Sequence, residues 1–212
     1  MRKIIIAPDS FKETLSAVVV AQIIASALQR AMPNTQMLCL PLADGGEGTA
    51  AALVEATNGR IIETSVSSLL NLQGKRVVAQ WGLLPPLNEH GTAVIDIAAA
   101  SGLGLIPHKD RNPLVSSTYG TGEIILKALD LGVRDFIIGL GGSATNDAGT
   151  GLLRALGLQL NDESGAPVGF GGAALAQVHS INAQKLDLRL MECTISVACD
   201  VDNPLLGPKG AS

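Results

Sequence analysis

The feature that most constrains the fold is an apolar run, Phe136-Ile-Ile-Gly-Leu140, that ends abruptly in Gly-Gly-Ser-Ala-Thr-Asn-Asp147. Residues 152–156 follow with the composition of a helix. The pattern predicts a strand, a glycine-rich loop and a helix in succession. Such a connection presents backbone N–H groups and the positive end of a helix dipole, which suit an anion such as a phosphate. Glycines also let the main chain approach a ligand closely and adopt positive φ.

Composition narrows the fold and the partners. Apolar residues make up 47% of the 212-residue chain but aromatic residues only 2%, so Ile, Leu, Val and Ala must build the core. This profile suits helices packed on a largely parallel, buried sheet. A net charge of −4 argues against general nucleic-acid binding. No uninterrupted run of apolar residues is long enough to span a membrane, and the run at the N-terminus is too short for a signal peptide. We therefore expect a cytosolic protein.

The order of elements indicates an α/β protein in two parts. Residues 1–60 alternate strand, helix, strand and helix, as at the start of a parallel sheet with right-handed crossovers. From residue 61 the sequence pattern changes to short strands joined by turns, such as the turn at residues 71–74. This pattern predicts antiparallel or mixed pairing in a second domain, residues 61–212. That domain carries the glycine loop, a helix over 146–156, and an end that could return to the first domain.

Polar residues follow the first predicted strand. Asp9, Ser10 and Lys12 offer a carboxylate, a hydroxyl and a cation within four residues. Ligands of open α/β sheets bind at this edge, and Lys12 could hold a substrate carboxylate or a phosphate. The alternative is an ordinary helix start, with Asp9 or Ser10 as the cap and Lys12 in solvent.

Acidic residues follow the other apolar strands. Asp44 and Glu47 lie among glycines after the second strand, and Asp200 follows the last strand. Two acids near a phosphate site could bind Mg²⁺, or Asp44 could take a proton from an attacking hydroxyl. A capped helix start, with Glu47 complementing the helix dipole, would explain the same residues. Because adjacent strands end at one edge, we expect the Asp9 and Asp44 motifs to lie together.

Two further patterns leave alternatives open. Residues 139–144 match G-x-G-x-x-A, the dinucleotide fingerprint, with Asp162 at a tolerable distance, but too few residues follow Asp162 to complete that fold. Ser143 or Thr145 could instead simply cap the next helix. The Ser and Thr hydroxyls of residues 116–122 could reach a ligand or cap a helix.

Six segments together resemble the bacterial glycerate kinase family, of the type found in glycerate and glucarate catabolism. The segments run in family order: Ile5-Ile-Ala-Pro-Asp-Ser-Phe-Lys-Glu13, Leu42-Ala-Asp-Gly-Gly-Glu-Gly-Thr49, Asn112-Pro-Leu114, Tyr119-Gly-Thr-Gly-Glu123, Ile138-Gly-Leu-Gly-Gly-Ser-Ala-Thr-Asn-Asp147 and Ala198-Cys-Asp-Val-Asp-Asn-Pro-Leu205. The resemblance implies a Rossmann-like parallel-sheet domain with an inserted second α/β domain of mixed sheet, and an active site between them. It also implies ATP- and Mg²⁺-dependent phosphorylation of D-glycerate to 2-phosphoglycerate.

On that basis we assign roles for in-line phosphoryl transfer, which depends mainly on positioning and charge neutralisation. Asp44 or Asp9 would orient the attacking hydroxyl, Lys12 and Ser10 would engage glycerate or the phosphoryl group, and Glu47 would contact the substrate. Asp147 or Asp200 would hold Mg²⁺. The residues expected to cradle the ATP phosphates are Gly141, Gly142, Ser143, Ala144, Thr145 and Asn146.

The resemblance covers about the first half of a family member. We expect later residues of such proteins to complete the sheet of the first domain, so that an apolar sheet edge is bare in this chain. A homo-oligomer is a further expectation. Two alternatives remain: a non-catalytic remnant that binds glycerate or nucleotide, and an NAD-dependent oxidoreductase that uses residues 139–144.

Overall fold

The computed structural model describes residues 2–11, 14–86, 90–199 and 201–210, without the side chains of residues 71–73. The predictions for Lys12 and Asp200 therefore lie outside the described residues. The elements are β1 (Lys3–Ile6), α1 (Ala17–Ala31), β2 (Gln36–Cys39), α2 (Thr49–Thr57), β3 (Arg60–Ser68), β4 (Asn71–Leu84), β5 (Thr92–Asp96), α3 (Ala98–Ser101), α4 (Tyr119–Asp130), β6 (Asp135–Gly139), α5 (Thr150–Ala155), β7 (Gln159–Asn161), β8 (Ser180–Asn182) and β9 (Thr194–Ala198).

The first sheet joins β1 and β2 in parallel. The pairing extends past both strands, because the N–H of Leu42 donates to the carbonyl of Pro8 at 2.9 Å. The segments that lead to Asp9 and Asp44 therefore run side by side, as the sequence predicted. Ile5 and Leu38 are paired across this sheet and are 63% and 42% exposed. The bare sheet edge itself stays a prediction.

Helix α1 begins at Ala17, because Ser16 caps it by accepting a hydrogen bond from the N–H of Val19 at 3.3 Å. We expect Ser16→Ala to lower the free energy of unfolding by about 1 kcal/mol, the usual loss of an N-cap acceptor. Urea titration of the purified chain measures this change. Ser26→Ala, at an exposed position inside the same helix, is the control and should change stability by only a few tenths of a kcal/mol. An equal loss in both variants would contradict the cap.

The second sheet has five strands in the order β3-β4-β5-β6-β9. β3, β4 and β5 pair antiparallel, whereas β5, β6 and β9 pair parallel. The prediction of an α/β chain with mixed pairing after residue 61 is confirmed by these pairings. The domain boundary at residue 61 stays a prediction.

The core lies between this sheet and α4. Ile, Leu, Val and Ala supply most of it, as the composition required, and Trp81 and Phe136 are its largest buried side chains. The Trp81 ring nitrogen donates to Thr64 Oγ1 at 2.9 Å, which satisfies the indole N–H inside the protein. Burial of this cluster holds β5 and β6 in the register that positions the loops at their carboxyl ends.

Two sequence predictions of local structure were wrong, and one strand pair was missed. The turn placed at residues 71–74 is the start of β4, and the chain reverses at residues 69–70. The helix after the glycine loop begins at Thr150 and not at Asn146. The antiparallel pair of β7 and β8 was missed because turn residues dominate the stretch between them.

The helices that the structure describes are all too short or too polar to span a bilayer.

Candidate active site

The carboxyl ends of three parallel strands form one row at the edge of the second sheet. Asp96 at the end of β5 is in register with Gly139 at the end of β6, which is in register with Ala198 at the end of β9. Ligands of α/β sheets bind at such an edge. Two loops meet there: the acidic loop (residues 44–48), which follows β2, and the glycine loop (residues 140–146), which follows β6.

The two loops touch through their main chains. The N–H of Gly141 donates to the carbonyl of Gly45 at 3.0 Å. A Cβ on Gly45 would lie 2.5 Å from the carbonyl oxygen of Ala198, and a Cβ on Gly141 would lie 2.5 Å from Cα of Gly46. A Cβ on Gly139 would lie 2.6 Å from the Gly45 oxygen. These glycines are therefore required by the approach of another backbone, whatever ligand the loops bind.

A buried carboxylate anchors the acidic loop to the sheet. Asp96 is only 7% exposed, and its oxygens accept hydrogen bonds from the N–H of Gly48 at 2.9 Å and of Ala50 at 3.1 Å. It thus caps α2, whose N-cap residue is a glycine without a side chain. Burial raises the pKa of Asp96, partly opposed by these backbone hydrogen bonds. The sequence analysis did not single out Asp96. It stands at the end of an apolar strand, which is the same signal that identified the other candidate acids.

Some of the predicted substrate residues share one cavity. Asp9, Ser10 and Glu47 line a cavity of ≈ 390 Å³, whose other walls include Gly48 and apolar side chains of α1 and α2. One oxygen of Asp9 accepts the N–H of Ser10 at 2.6 Å. The predicted meeting of the first two motifs at one edge is thus seen in the structure. The cavity is large enough for a small organic acid.

Asp44 is exposed at the start of the acidic loop. One of its oxygens, Oδ1, accepts a hydrogen bond from the N–H of Gly46 at 3.0 Å. The side chain of Thr49 holds the other side of Gly46 by donating to its carbonyl at 2.8 Å. These two contacts fix the direction of the Asp44 carboxylate relative to the glycines that lie on the sheet.

The glycine loop is held from both sides at Ala144. Its N–H donates to the carbonyl of Ser101 at 2.8 Å, and its carbonyl accepts the hydroxyl of Ser116 at 2.7 Å. Ser143 and Thr145 bond to each other through their hydroxyls at 2.8 Å. Gly142, at φ +74°, is exposed. The loop is therefore fixed by its interior groups while its outer surface stays accessible.

Asp147 does not lie on that outer surface. It is 1% exposed, and its carboxylate accepts hydrogen bonds from the N–H of Thr118 at 2.9 Å, of Gly151 at 3.1 Å and of Gly149 at 3.2 Å. The first amides of α5 are thus occupied by a buried anion. The expectation that the positive end of this helix faces a ligand was wrong, because Asp147 already fills that position. The role of Asp147 as a metal ligand stays a prediction, and its surroundings favour a structural role.

The Ser and Thr hydroxyls of residues 116–122 have internal partners. Ser117 accepts the N–H of Tyr119 at 3.2 Å, Thr118 accepts the N–H of Leu152 at 2.9 Å, and Thr121 bonds to Ser101 at 2.9 Å. All of these hydroxyl residues are buried. Of the two roles that the sequence left open, the structure supports capping and packing.

Asp162, the acidic residue that the dinucleotide alternative requires, is not beside the glycine loop's sheet. Asp162 follows β7, which pairs with β8 and lies outside the five-stranded sheet. Its carboxylate is used in a turn, where it accepts the N–H of Ser164 at 2.9 Å and of Ala166 at 3.0 Å. An acid that recognises a ribose should instead end a strand beside the glycine loop. This geometry gives no support to nicotinamide binding.

Among the described residues, no three His, Cys, Asp or Glu side chains are grouped to hold a metal ion. Mg²⁺ commonly uses one or two carboxylates, with phosphate oxygens and water completing its shell. Exposed Asp44 and the accessible loop surface at Gly142 are compatible with that arrangement.

Comparison with known proteins identifies close relatives. The family model described as "Glycerate kinase family" matches residues 4–212. A glycerate kinase of Bacillus subtilis (strain 168) is 54% identical over 210 residues, which cover 99% of this chain and 53% of the relative. A glycerate 2-kinase of Escherichia coli (strain K12) is 49% identical over 210 residues, covering 99% of this chain and 54% of the relative.

A crystal structure from Salmonella typhimurium LT2, described as a glycerate kinase 2, has the same fold. Its TM-score is 0.83 at 50% sequence identity, and the match covers 99% of this chain and 55% of that one. The chain therefore spans about half the length of the curated relatives it matches.

Proposed function

Because this chain belongs to the glycerate kinase family, we propose that it carries part of a site that transfers the γ-phosphoryl group of ATP to D-glycerate. The observation that supports this most is the 3.0 Å hydrogen bond between Gly141 and Gly45, which joins the glycine loop to the acidic loop. The bond brings a loop suited to phosphate close to candidate acids. Phosphoryl transfer requires these two parts to be adjacent.

The glycine loop is proposed to hold the ATP phosphates at its exposed surface, from Gly142 to Asn146. Gly141 and Ala144 contribute by fixing the loop, because their N–H groups are bonded to Gly45 and Ser101. Bound ATP with Mg²⁺ would supply the phosphoryl group and neutralise part of its charge. Asp200 is the proposed metal ligand, since in the sequence it comes shortly after Ala198, the last residue of β9.

Glycerate is proposed to bind in the cavity lined by Asp9, Ser10 and Glu47. Its hydroxyls can bond to these carboxylates and to the serine. Its own carboxylate needs a cation, and Lys12 is the basic residue of that segment. Asp44 is proposed to take the proton from the attacking hydroxyl of glycerate. The hydroxyl oxygen then bonds to the γ-phosphorus while the bond between that phosphorus and the ADP oxygen breaks. We propose 2-phosphoglycerate as the product.

ADP release tests this function. The chain is assayed alone, and also as a chimera in which it replaces the matching half of the Bacillus subtilis relative. We expect the chimera to release ADP from ATP only when D-glycerate and Mg²⁺ are present, with 2-phosphoglycerate identified by phosphorus NMR. Glycerate binding without ADP release in either protein would favour a non-catalytic remnant. Thermal stabilisation by NAD but not ATP would favour the oxidoreductase.

Replacing the proposed base should reduce turnover. We expect Asp44→Asn to lower kcat of the chimera about 10²- to 10⁴-fold, the range for loss of a general base. KM for ATP should change little, because the glycine loop is intact. Glu63→Gln is the matched control, since Glu63 is an exposed acid on β3 that bonds only to Gln80 among the described residues. Unchanged kcat in Asp44→Asn would remove Asp44 from the site.

Other features of the function stay predictions. We propose a small organic acid as the substrate and expect neither nucleic acid nor a membrane as a partner, in line with the net charge of −4. A cytosolic location and a homo-oligomer are likewise proposed and not tested by the fold.

A further inference from the structure

We propose that Asp96 is a positioning residue for phosphoryl transfer, which holds the acidic loop at the working distance from the glycine loop. This inference rests on the proposed function. Asp96 does not contact the reactants in this proposal. It acts through Gly48 and Ala50, whose N–H groups it accepts at 2.9 and 3.1 Å.

The position of Asp96 suits this role. It is the last residue of β5 and stands in register with Gly139, from which the glycine loop starts. The strand beneath it is rigid, because Val94 and Ile95 are fully buried. The Asp96 side chain therefore links the acidic loop to the same row of strand ends that carries the glycine loop. A short connection through a buried strand transmits position better than a flexible surface contact.

The acidic loop is hydrogen-bonded across to the row of strand ends near each of its ends. At its start, the carbonyl of Gly45 accepts the N–H of Gly141 at 3.0 Å, which is a contact between main chains. At its end, Asp96 accepts the N–H of Gly48. Gly48 has a left-handed φ of +102°, so it is not part of the hydrogen-bonded helix that follows it. Glu47 directly precedes this second anchor, and Asp44 precedes the first. Loss of Asp96 would free one end while the other stays attached.

The carboxylate of Asp96 is needed to accept both hydrogen bonds. Its two oxygens face two N–H donors in a site from which water is nearly excluded, since the residue is 7% exposed. Asparagine would place one NH₂ group against a backbone N–H, so that one donor loses its acceptor. The loop end would then move away from the sheet. A displacement of about 1 Å at a reacting group lowers the rate roughly 10²-fold.

Kinetics of the chimera test the inference. We expect Asp96→Asn to lower kcat about 10- to 100-fold and to raise KM for glycerate, while KM for ATP stays within about twofold. Asp96→Glu keeps a carboxylate and should recover part of the loss. If Asp96 only filled space, the longer glutamate would be at least as harmful as asparagine, and that result would overturn the inference. A kcat for Asp96→Asn within about twofold of the parent would also overturn it.

A double-mutant cycle separates positioning from general destabilisation. Because Asp96 holds the loop end that carries Glu47, adding Asp96→Asn to Glu47→Gln should reduce kcat/KM for glycerate much less than Asp96→Asn does alone. An equal loss in both backgrounds would overturn the inference. Ile124→Val is the matched control, because it removes a methyl group from the buried core cluster at a position outside both loops. It should leave kcat unchanged.

Hydrogen exchange gives a readout that does not depend on activity. In Asp96→Asn, the amides of Gly48 and Ala50 should exchange faster, while those of α4 keep their protection. Unchanged exchange at both amides would show that Asp96 is not their anchor and would overturn the inference. If exchange and folding behave as expected but the parent chimera releases no ADP with glycerate, the proposed function fails and this inference falls with it. Activity in the parent and in Asp96→Asn alike refutes the inference alone.

Discussion

Replacing Gly45 by alanine is expected to lower the free energy of unfolding by about 2–5 kcal/mol. An alanine there would need a left-handed backbone, since φ is +94°, which costs about 1–2 kcal/mol. Its Cβ would also lie 2.5 Å from the carbonyl oxygen of Ala198, and forced overpacking costs about 1–3 kcal/mol. The contact is with backbone, so no side-chain rotation can relieve it. Urea unfolding of the purified chain measures the loss.

Gly132→Ala separates the two contributions to this loss. Gly132 has a similar φ of +85°, but nothing lies within 4 Å of the position its Cβ would take. It should therefore show only the backbone cost of about 1–2 kcal/mol. The difference between the two variants measures the contact between the acidic loop and β9. Equal losses would contradict the close approach that the structure shows, and would leave the glycine at position 45 to be explained by its φ alone.

Replacing Asp147 by asparagine is expected to destabilise the chain by about 3 kcal/mol or more. The carboxylate accepts hydrogen bonds from Thr118, Gly149 and Gly151 in a fully buried position. Asparagine supplies one acceptor and adds an NH₂ group that faces these donors. Each buried donor left without a partner costs about 1–3 kcal/mol. Urea unfolding in the presence of EDTA measures the loss without any divalent metal.

This experiment also decides between the two roles of Asp147. If it is a structural cap, the loss appears in EDTA. If it were chiefly a metal ligand, Asp147→Asn would leave the metal-free chain as stable as the parent. Asp162→Asn is the matched control, because Asp162 accepts similar hydrogen bonds from Ser164 and Ala166 in an exposed turn. Water can accept the hydrogen bonds that this carboxylate loses, so Asp162→Asn should lower the free energy of unfolding much less than Asp147→Asn.

Local patterns were sufficient to predict most of the elements. The apolar run of β6 and the polar loop after it are legible in sequence because strand alternation and glycine placement act over few residues. The N-cap at Ser16 and the left-handed cap at Asn58, with φ +55°, follow local rules too. The meeting of Asp9 and Glu47 in one cavity needed only the rule that parallel strands share an edge.

The roles of individual acids could not be predicted in the same way. Asp147 and Asp96 look like other strand-end or loop acids in the sequence, yet both are buried and bonded to helix amides. Burial depends on what the rest of the chain places over a residue. Asp96 is anchored to amides 46 residues or more away along the chain, and Asp147 to Thr118 at a distance of 29 residues. No local window contains these partners.

The sequence by itself determined an alternating α/β chain whose glycine-rich and acidic segments follow apolar strands, because side-chain periodicity and glycine freedom are properties of short stretches. Only the tertiary structure decided that Gly45 and Gly141 are opposed main chains and that Asp96 and Asp147 are caps. The physical reason is strand register. The pairing of β5 with β6 and of β6 with β9 sets their ends in one row, where the loops of Gly45 and Gly141 meet although they are far apart in the sequence.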